Sequence, residues 1–124
     1  MRIKGKGGRK NVFLSYKVWL SSLTGDGAVG ETEYLLLKHI AKNKSLKAAS
    51  DDLGISYRKA WGDLKNAEEL LGYQLLEKQR GGKSGGTSII TDKARKLIEA
   101  YEALQQTFDD QAEAAFKEFK DKIK

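Results

Sequence analysis

Residues 45–72, "SLKAASDDLGISYRKAWGDLKNAEELLG", constrain the fold of this chain more than any other stretch. Ser45 is a side chain suited to accept a hydrogen bond from the first amides of a helix, and "LKAASDDL" after it puts Leu46, Ala49 and Leu53 on one face. Small Ala48 and Ala49 permit close approach of another helix. Gly54 supplies a sharp turn, Ser56 caps again, and "YRKAWGDLKNAEELL" aligns Tyr57, Ala60, Trp61, Leu64, Ala67 and Leu71 along one stripe. Arg58, Lys59, Lys65 and Asn66 fall largely outside it. Trp61 is therefore expected in the core with Leu64 and Leu71, while Tyr57 is either core or contact surface. Gly62 weakens the helix by about 1 kcal/mol relative to alanine, which points either to close packing or to close approach of a partner.

Helix, glycine-containing turn and capped helix form the pattern of a helix-turn-helix, whose second helix enters the major groove of DNA. Upstream, Glu31 to Lys42 reads as a further helix, with Tyr34, Leu35, Leu37, Ile40 and Ala41 on its apolar side. Acids come early in it and lysines late, as the helix dipole prefers. "NVFLSYKVWL" alternates Val12, Leu14, Tyr16, Val18 and Leu20 with Phe13, Ser15, Lys17 and Trp19, the period of a strand. "TGDGAVG" then reads as a turn with a short return strand, completing an N-terminal hairpin. Downstream of Gly72, "YQLLEKQ" and "TSIIT" read as two strands joined by "RGGKSGG", a wing beside the second helix.

That glycine-rich tip contains Gly-Lys-Ser, yet it is half of a phosphate-binding P-loop. The first glycine of G-x-x-x-x-G-K-[ST] would stand at Glu77, and a β-type run follows where the P-loop needs a helix. Arg80 and Lys83 on a flexible tip suit the phosphates of a duplex better. Charge agrees. The chain carries +6 overall, and residues 1–96 hold 19 basic and 10 acidic side chains against 4 and 7 in residues 97–124. A basic body with a mildly acidic tail fits a polyanionic partner.

The chain has no cysteine, which excludes disulfides, thiolate metal sites and cysteine nucleophiles. His39 is the sole histidine and sits in a helical pattern, as a structural or surface residue, so histidine-dependent catalysis has no partner set. Adjacent carboxylates such as Asp51-Asp52, Glu68-Glu69 and Asp109-Asp110 diverge on helices and make poor acid/base pairs. No enzyme, cofactor or metal site is expected. Without an apolar run long enough to span a bilayer, a cytoplasmic setting is expected.

Thr91 caps a last helix in which apolar residues recur every three or four positions, among them Leu97, Tyr101, Leu104, Phe108 and Ala112. At 1.5 Å per residue, Asp92 to Lys122 spans about 46 Å, more than a body of this size covers. Part of this seam is expected to meet a second chain; the alternative is that the helix folds back or frays after Gln111. The division expected is a mobile basic arm at 1–11, a winged helix-turn-helix domain at 12–91 and a dimerisation helix at 92–124. The fold class is mainly α with small β.

"SLKAASDDLGISYRKAW" together with "LLGYQLLEKQRGGKSGGTSIITDKARKLI" resembles the DNA-binding domain of the ModE molybdate-responsive regulators, itself similar to the LysR-type winged helix-turn-helix. The resemblance covers roughly Val12 to Leu104. It implies a homodimer joined by the long helix and a palindromic operator. Molybdate-binding domains follow that helix in full-length ModE regulators, so no small-molecule effector is expected within these residues. Gly62-Asp63 departs from the family pattern, and operator preference does not carry over.

The function expected is sequence-specific binding of double-stranded DNA by a dimeric transcriptional regulator. Ser56, Tyr57, Arg58 and Lys59 are the candidates for base contacts, Arg58 first because its fork can bond two acceptors on guanine. Lys47, Lys65, Arg80 and Lys83 are the candidates for phosphates. Leu97, Tyr101, Leu104, Phe108 and Ala112 are the candidates for the dimer interface. A winged-helix adaptor that binds protein, with an incidental basic face, is the other class of function compatible with the same residues.

Overall fold

The three helices expected between residues 31 and 71 form with the caps read from the sequence. In the computed structural model, which describes residues 2–5 (backbone only), 12–25, 28–77 and 87–124, α1 spans Glu31–Asn43, α2 Leu46–Leu53 and α3 Tyr57–Leu71. Ser45 Oγ accepts from Ala48 N at 3.0 Å and Ser56 Oγ from Lys59 N at 3.0 Å. Each such cap stabilises its helix by about 0.5–2 kcal/mol. Gly54 and Gly72 end α2 and α3 with φ of 71° and 80°, left-handed values at which a side chain is strained.

The chain forms two compact units, residues 19–100 and a smaller one of residues 1–18 with 101–124. In the larger unit α2 and α3 pack on α1. Leu36, Leu37 and Ile40 of α1 are fully buried, with Ala49 of α2 and Ala60, Leu64 and Ala67 of α3 against them. Leu36 occupies the core position that the periodicity assigned to Leu35, which is 37% exposed. After Gly72 the chain turns back into the wing. Glu77 N donates to Ile89 O at 2.8 Å and Thr91 N to Leu75 O at 2.9 Å, flanking an antiparallel bridge between Leu76 and Ile90. The two wing strands of the sequence reading are thus a short hydrogen-bonded base among the described residues. Residues 78–86, with Arg80 and Lys83, lie outside them.

The N-terminal hairpin is a different one from that expected. Strand β2, Val12–Ser15, pairs antiparallel with β1, Arg2–Gly5, in the register Arg2 to Ser15 and Gly5 to Val12. Part of the segment expected as a mobile arm is therefore strand; residues 1 and 6–11 lie outside the described residues. The anticipated return strand after Gly25 is reduced to a single bridge between Leu20 and Val29. The alternation holds only between Leu14 and Trp19: Leu14, Tyr16 and Val18 are half-buried while Ser15, Lys17 and Trp19 are exposed, but Val12 and Leu20, expected on the inward side, are exposed as well. What covers Tyr16 and Val18 is visible in two bonds of the smaller unit. Tyr101 donates its hydroxyl proton to Val18 O at 2.9 Å, and Tyr16 donates to the Asp109 carboxylate. Both acceptance points lie along α4, Asp92–Lys122, or face it, and α4 continues unbroken past Gln111.

Burial, and then the hydrogen bond and negative charge of Asp109, push the Tyr16 phenol from 10.0 up to about 12. A raised value favours the neutral form in the folded chain, so this contribution to stability is complete below pH 10 and is lost as pH rises towards about 12. In ultraviolet titration of the folded protein, Tyr16 should ionise later than an unperturbed tyrosine. Tyr16→Phe should abolish that late step and flatten the dependence of stability on pH across the same window.

Candidate nucleic-acid interface

α3 faces the core through Ala60, Leu64 and Ala67, none more than 2% exposed, and this fixes what its other side presents. Ser56, Tyr57, Arg58 and Lys59 are all exposed at its N-terminal turn, the end that a recognition helix directs at base edges. The expected base-contact set is thus brought together. Ser56 is also the N-cap, so one lone pair of its hydroxyl is committed to Lys59 N.

The cations differ in how they are held. Lys47 Nζ lies 3.2 Å from Asp51, Lys59 Nζ 3.2 Å from Asp63 and Lys65 Nζ 3.1 Å from Glu68, each pair within one helix. The exposed Lys47–Asp51 pair is worth about 0.3–0.5 kcal/mol, and in all three pairs the lysine is the more open partner. Arg58 makes no salt bridge among the described residues, so its five donors stay available as a fork.

Trp61, expected in the core, is 49% exposed, and Tyr57, left open between core and surface, is 50% exposed. The core stripe is narrower than the sequence suggests. At about 100° per residue, Trp61 lies roughly a quarter turn round from Ala60, and α1 and α2 cover only the arc centred on Ala60, Leu64 and Ala67. Lys65 Nζ stands 5.2 Å from the centre of the Trp61 ring, a cation–π contact on the open side.

Three residues that sequence reasoning did not place in the site hold the wing base to the helices. Glu68 Oε2 accepts from Leu75 N at 2.7 Å and from Leu76 N at 3.3 Å, with its side chain only 11% exposed. Ser88 N donates to Lys44 O at 2.8 Å, which ties the returning strand to the turn between α1 and α2. Thr91 Oγ1 donates to Gln74 O at 2.8 Å and accepts from Ala94 N at 3.1 Å, joining the wing base to the start of α4. The available signal was Glu68 four residues before Gly72: a chain that turns back there presents free amides to the last turn of the helix.

The proposed interface residues of α4 are divided. Leu97 packs against the larger unit's core, Leu104 and Ala112 are half-buried, and Tyr101 is only 5% exposed. Tyr101 is therefore spent within its own chain, a correction to its expected place between chains. The single seam read from periodicity is partly covered from within. Phe108, Phe119 and Ile123 remain 49%, 53% and 62% exposed. Among the described residues no group of histidine and acidic side chains could hold a metal ion, and no helix is long and apolar enough to cross a membrane.

Residues 33–95 match the profile of the bacterial regulatory helix-turn-helix proteins of the lysR family. The DNA-binding transcriptional dual regulator ModE of Escherichia coli K12 is 39% identical over 71 residues, 57% of this chain and 27% of its own length. The molybdenum-pterin-binding protein MopB of Rhodobacter capsulatus is 34% identical over 77 residues, 62% of this chain and 28% of its own. The chain thus spans about a quarter of the length of these relatives. The crystal structure of the BenM_DBD/catB site 1 DNA complex superimposes with a TM-score of 0.50 at 23% identity, over 69% of this chain and 88% of that one, a likeness of fold.

Glu68→Ala should leave the Leu75 amide without its acceptor, at a cost of about 1–3 kcal/mol. Thermal unfolding should report the loss, and amide hydrogen exchange should accelerate at Leu75 and Leu76 before it does at Leu64. Unchanged exchange at both amides would remove Glu68 from this role.

Proposed function

This chain belongs to the lysR family of bacterial regulatory helix-turn-helix proteins, and we propose that it binds double-stranded DNA sequence-specifically as a transcriptional regulator, with α3 in the major groove and the wing on the backbone. The observation that carries this reading is the first turn of α3, where Arg58 stands exposed and without an ion pair among the described residues, on the side away from buried Ala60 and Leu64. Arg58, Tyr57, Lys59 and Ser56 reach base edges. Lys47, Lys65, Arg80 and Lys83 contact phosphates, the last two from their place in the sequence. The protein works in the cytoplasm and without catalysis of its own.

Phosphate neutralisation releases counterions, so affinity should fall with salt at a log-log slope of about −0.9 per phosphate contacted. Arg58→Ala should cost about 1–3 kcal/mol on a site selected from random duplexes and blur one position of it, whereas Lys83→Ala should weaken all duplexes alike. Fluorescence anisotropy across a salt series separates the two. Equal affinity of both variants and the parent would refute these roles.

The functional unit is a homodimer on a palindromic operator. Support comes from the apolar side of α4 that its own chain leaves open, centred on Phe108 and continued by Phe119 and Ile123, since a second copy would cover that row by two-fold symmetry. Leu97, Leu104 and Ala112 then flank the contact from their half-buried positions. Two copies of α3 would meet half-sites separated by about one helical turn or a multiple of it. Phe108→Asp should shift the sedimenting species to monomer at tens of micromolar and reduce binding to that of a single half-site; a parent chain that is already monomeric there would exclude the dimer.

A further inference from the structure

Gly62 is unexplained by the fold. Its φ lies outside the left-handed region where Gly54 and Gly72 are found, so the backbone does not require glycine. Packing does not require it either: a methyl group at Gly62 would meet no atom within 4 Å among the described residues beyond the helix's own backbone. A helix interior that holds glycine without local cause forfeits about 1 kcal/mol relative to alanine. Of the two explanations open from sequence, close packing against the described residues is thereby set aside. At about 100° per residue, Gly62 lies some 200° from Ala60, on the side opposite the core. It stands one turn beyond Arg58 on the exposed surface of α3 and forms a notch between Arg58 and Asn66.

Trp61 borders that notch. Its ring is half exposed, Lys65 lies over it, and it lies on the same flank of α3 as Glu68, which holds the wing base. An exposed indole at this place on a recognition helix has an apolar face and one N–H donor, with no acceptor. In the major groove the apolar feature that such a face can distinguish is the C5 methyl of thymine.

We infer that Trp61 and Gly62 determine specificity: Gly62 lets the groove close onto the backbone of α3, and the depth so gained brings the Trp61 ring onto a thymine methyl. This rests on the DNA-binding reading above and adds to it a reading surface one turn beyond the Ser56–Lys59 end. Lys65, 5.2 Å from the centre of the ring, remains placed for the adjoining phosphate.

The test uses the full chain and a duplex selected from a random pool, with each thymine replaced in turn by deoxyuridine, which removes only the methyl. At one thymine per half-site the parent should lose about three- to fivefold in affinity, the worth of one buried methyl. Trp61→Ala should bind the thymine and deoxyuridine duplexes equally, and Trp61→Phe should keep part of the preference. Gly62→Ala should melt at the same or a higher temperature than the parent and yet bind the selected duplex about tenfold more weakly, since a methyl in the notch prevents the approach. Gly62→Ala with parental affinity, or Trp61→Ala with the parent's thymine preference, overturns the inference while leaving DNA binding intact. A parent that retains no duplex even at low salt overturns both.

Discussion

The packing of α2 and α3 on α1 is the contact on which the rest of the larger unit depends. It is made by alanines: Ala60 and Ala67 of α3 and Ala49 of α2 are wholly buried, and only Leu64 among the inward residues of α3 is large. Small side chains let the helix axes draw together over the leucines of α1. The covered arc of α3 is narrow, centred on Ala60, Leu64 and Ala67, and the exposed Tyr57, Arg58 and Trp61 lie outside it.

In the proposed reading α3 is the recognition helix, and such a helix must be held firmly to present its exposed first turn. Here the restraint comes from the ends and the back. Ser56 caps the start, Gly72 closes the end, and Glu68 joins the last turn to the amides of Leu75 and Leu76. The wing base is thereby fixed to α3, to the α1–α2 turn through Ser88, and to α4 through Thr91. The groups that restrain α3, Glu68 above all, are largely buried, while Arg58, Lys59 and Lys65 on its outward side are exposed.

In the smaller unit one periodicity is divided between covered and exposed residues. α4 repeats apolar residues at spacings of three and four along its length, but Tyr101 and Phe116 are buried by their own chain while Phe108 and Phe119 are not. Tyr16 and Tyr101 are tethered by hydroxyl bonds to Asp109 and Val18. The segment just after β2 thus covers one side of α4, while Phe108 and Phe119 stay exposed on another.

Local chemistry was enough to determine α1 through α4 from sequence, because caps at Ser45, Ser56 and Thr91 and left-handed closures at Gly54 and Gly72 act within a few residues of themselves. The helix-turn-helix and the exposed first turn of α3 followed from those signals together with the 3.6-residue period. Tertiary structure alone decided which strand pairs with Val12–Ser15, since β1 precedes it and either neighbour satisfies a period of two. It also decided that Trp61 lies outside and Leu36 inside, for a stripe drawn on a helix gives a direction while the width of its cover depends on how closely the neighbouring helices approach. The role of Glu68 was only hinted at by its place four residues before Gly72: its value lies in amides seven and eight residues away, brought within 2.7 Å and 3.3 Å only once the chain has turned back at Gly72.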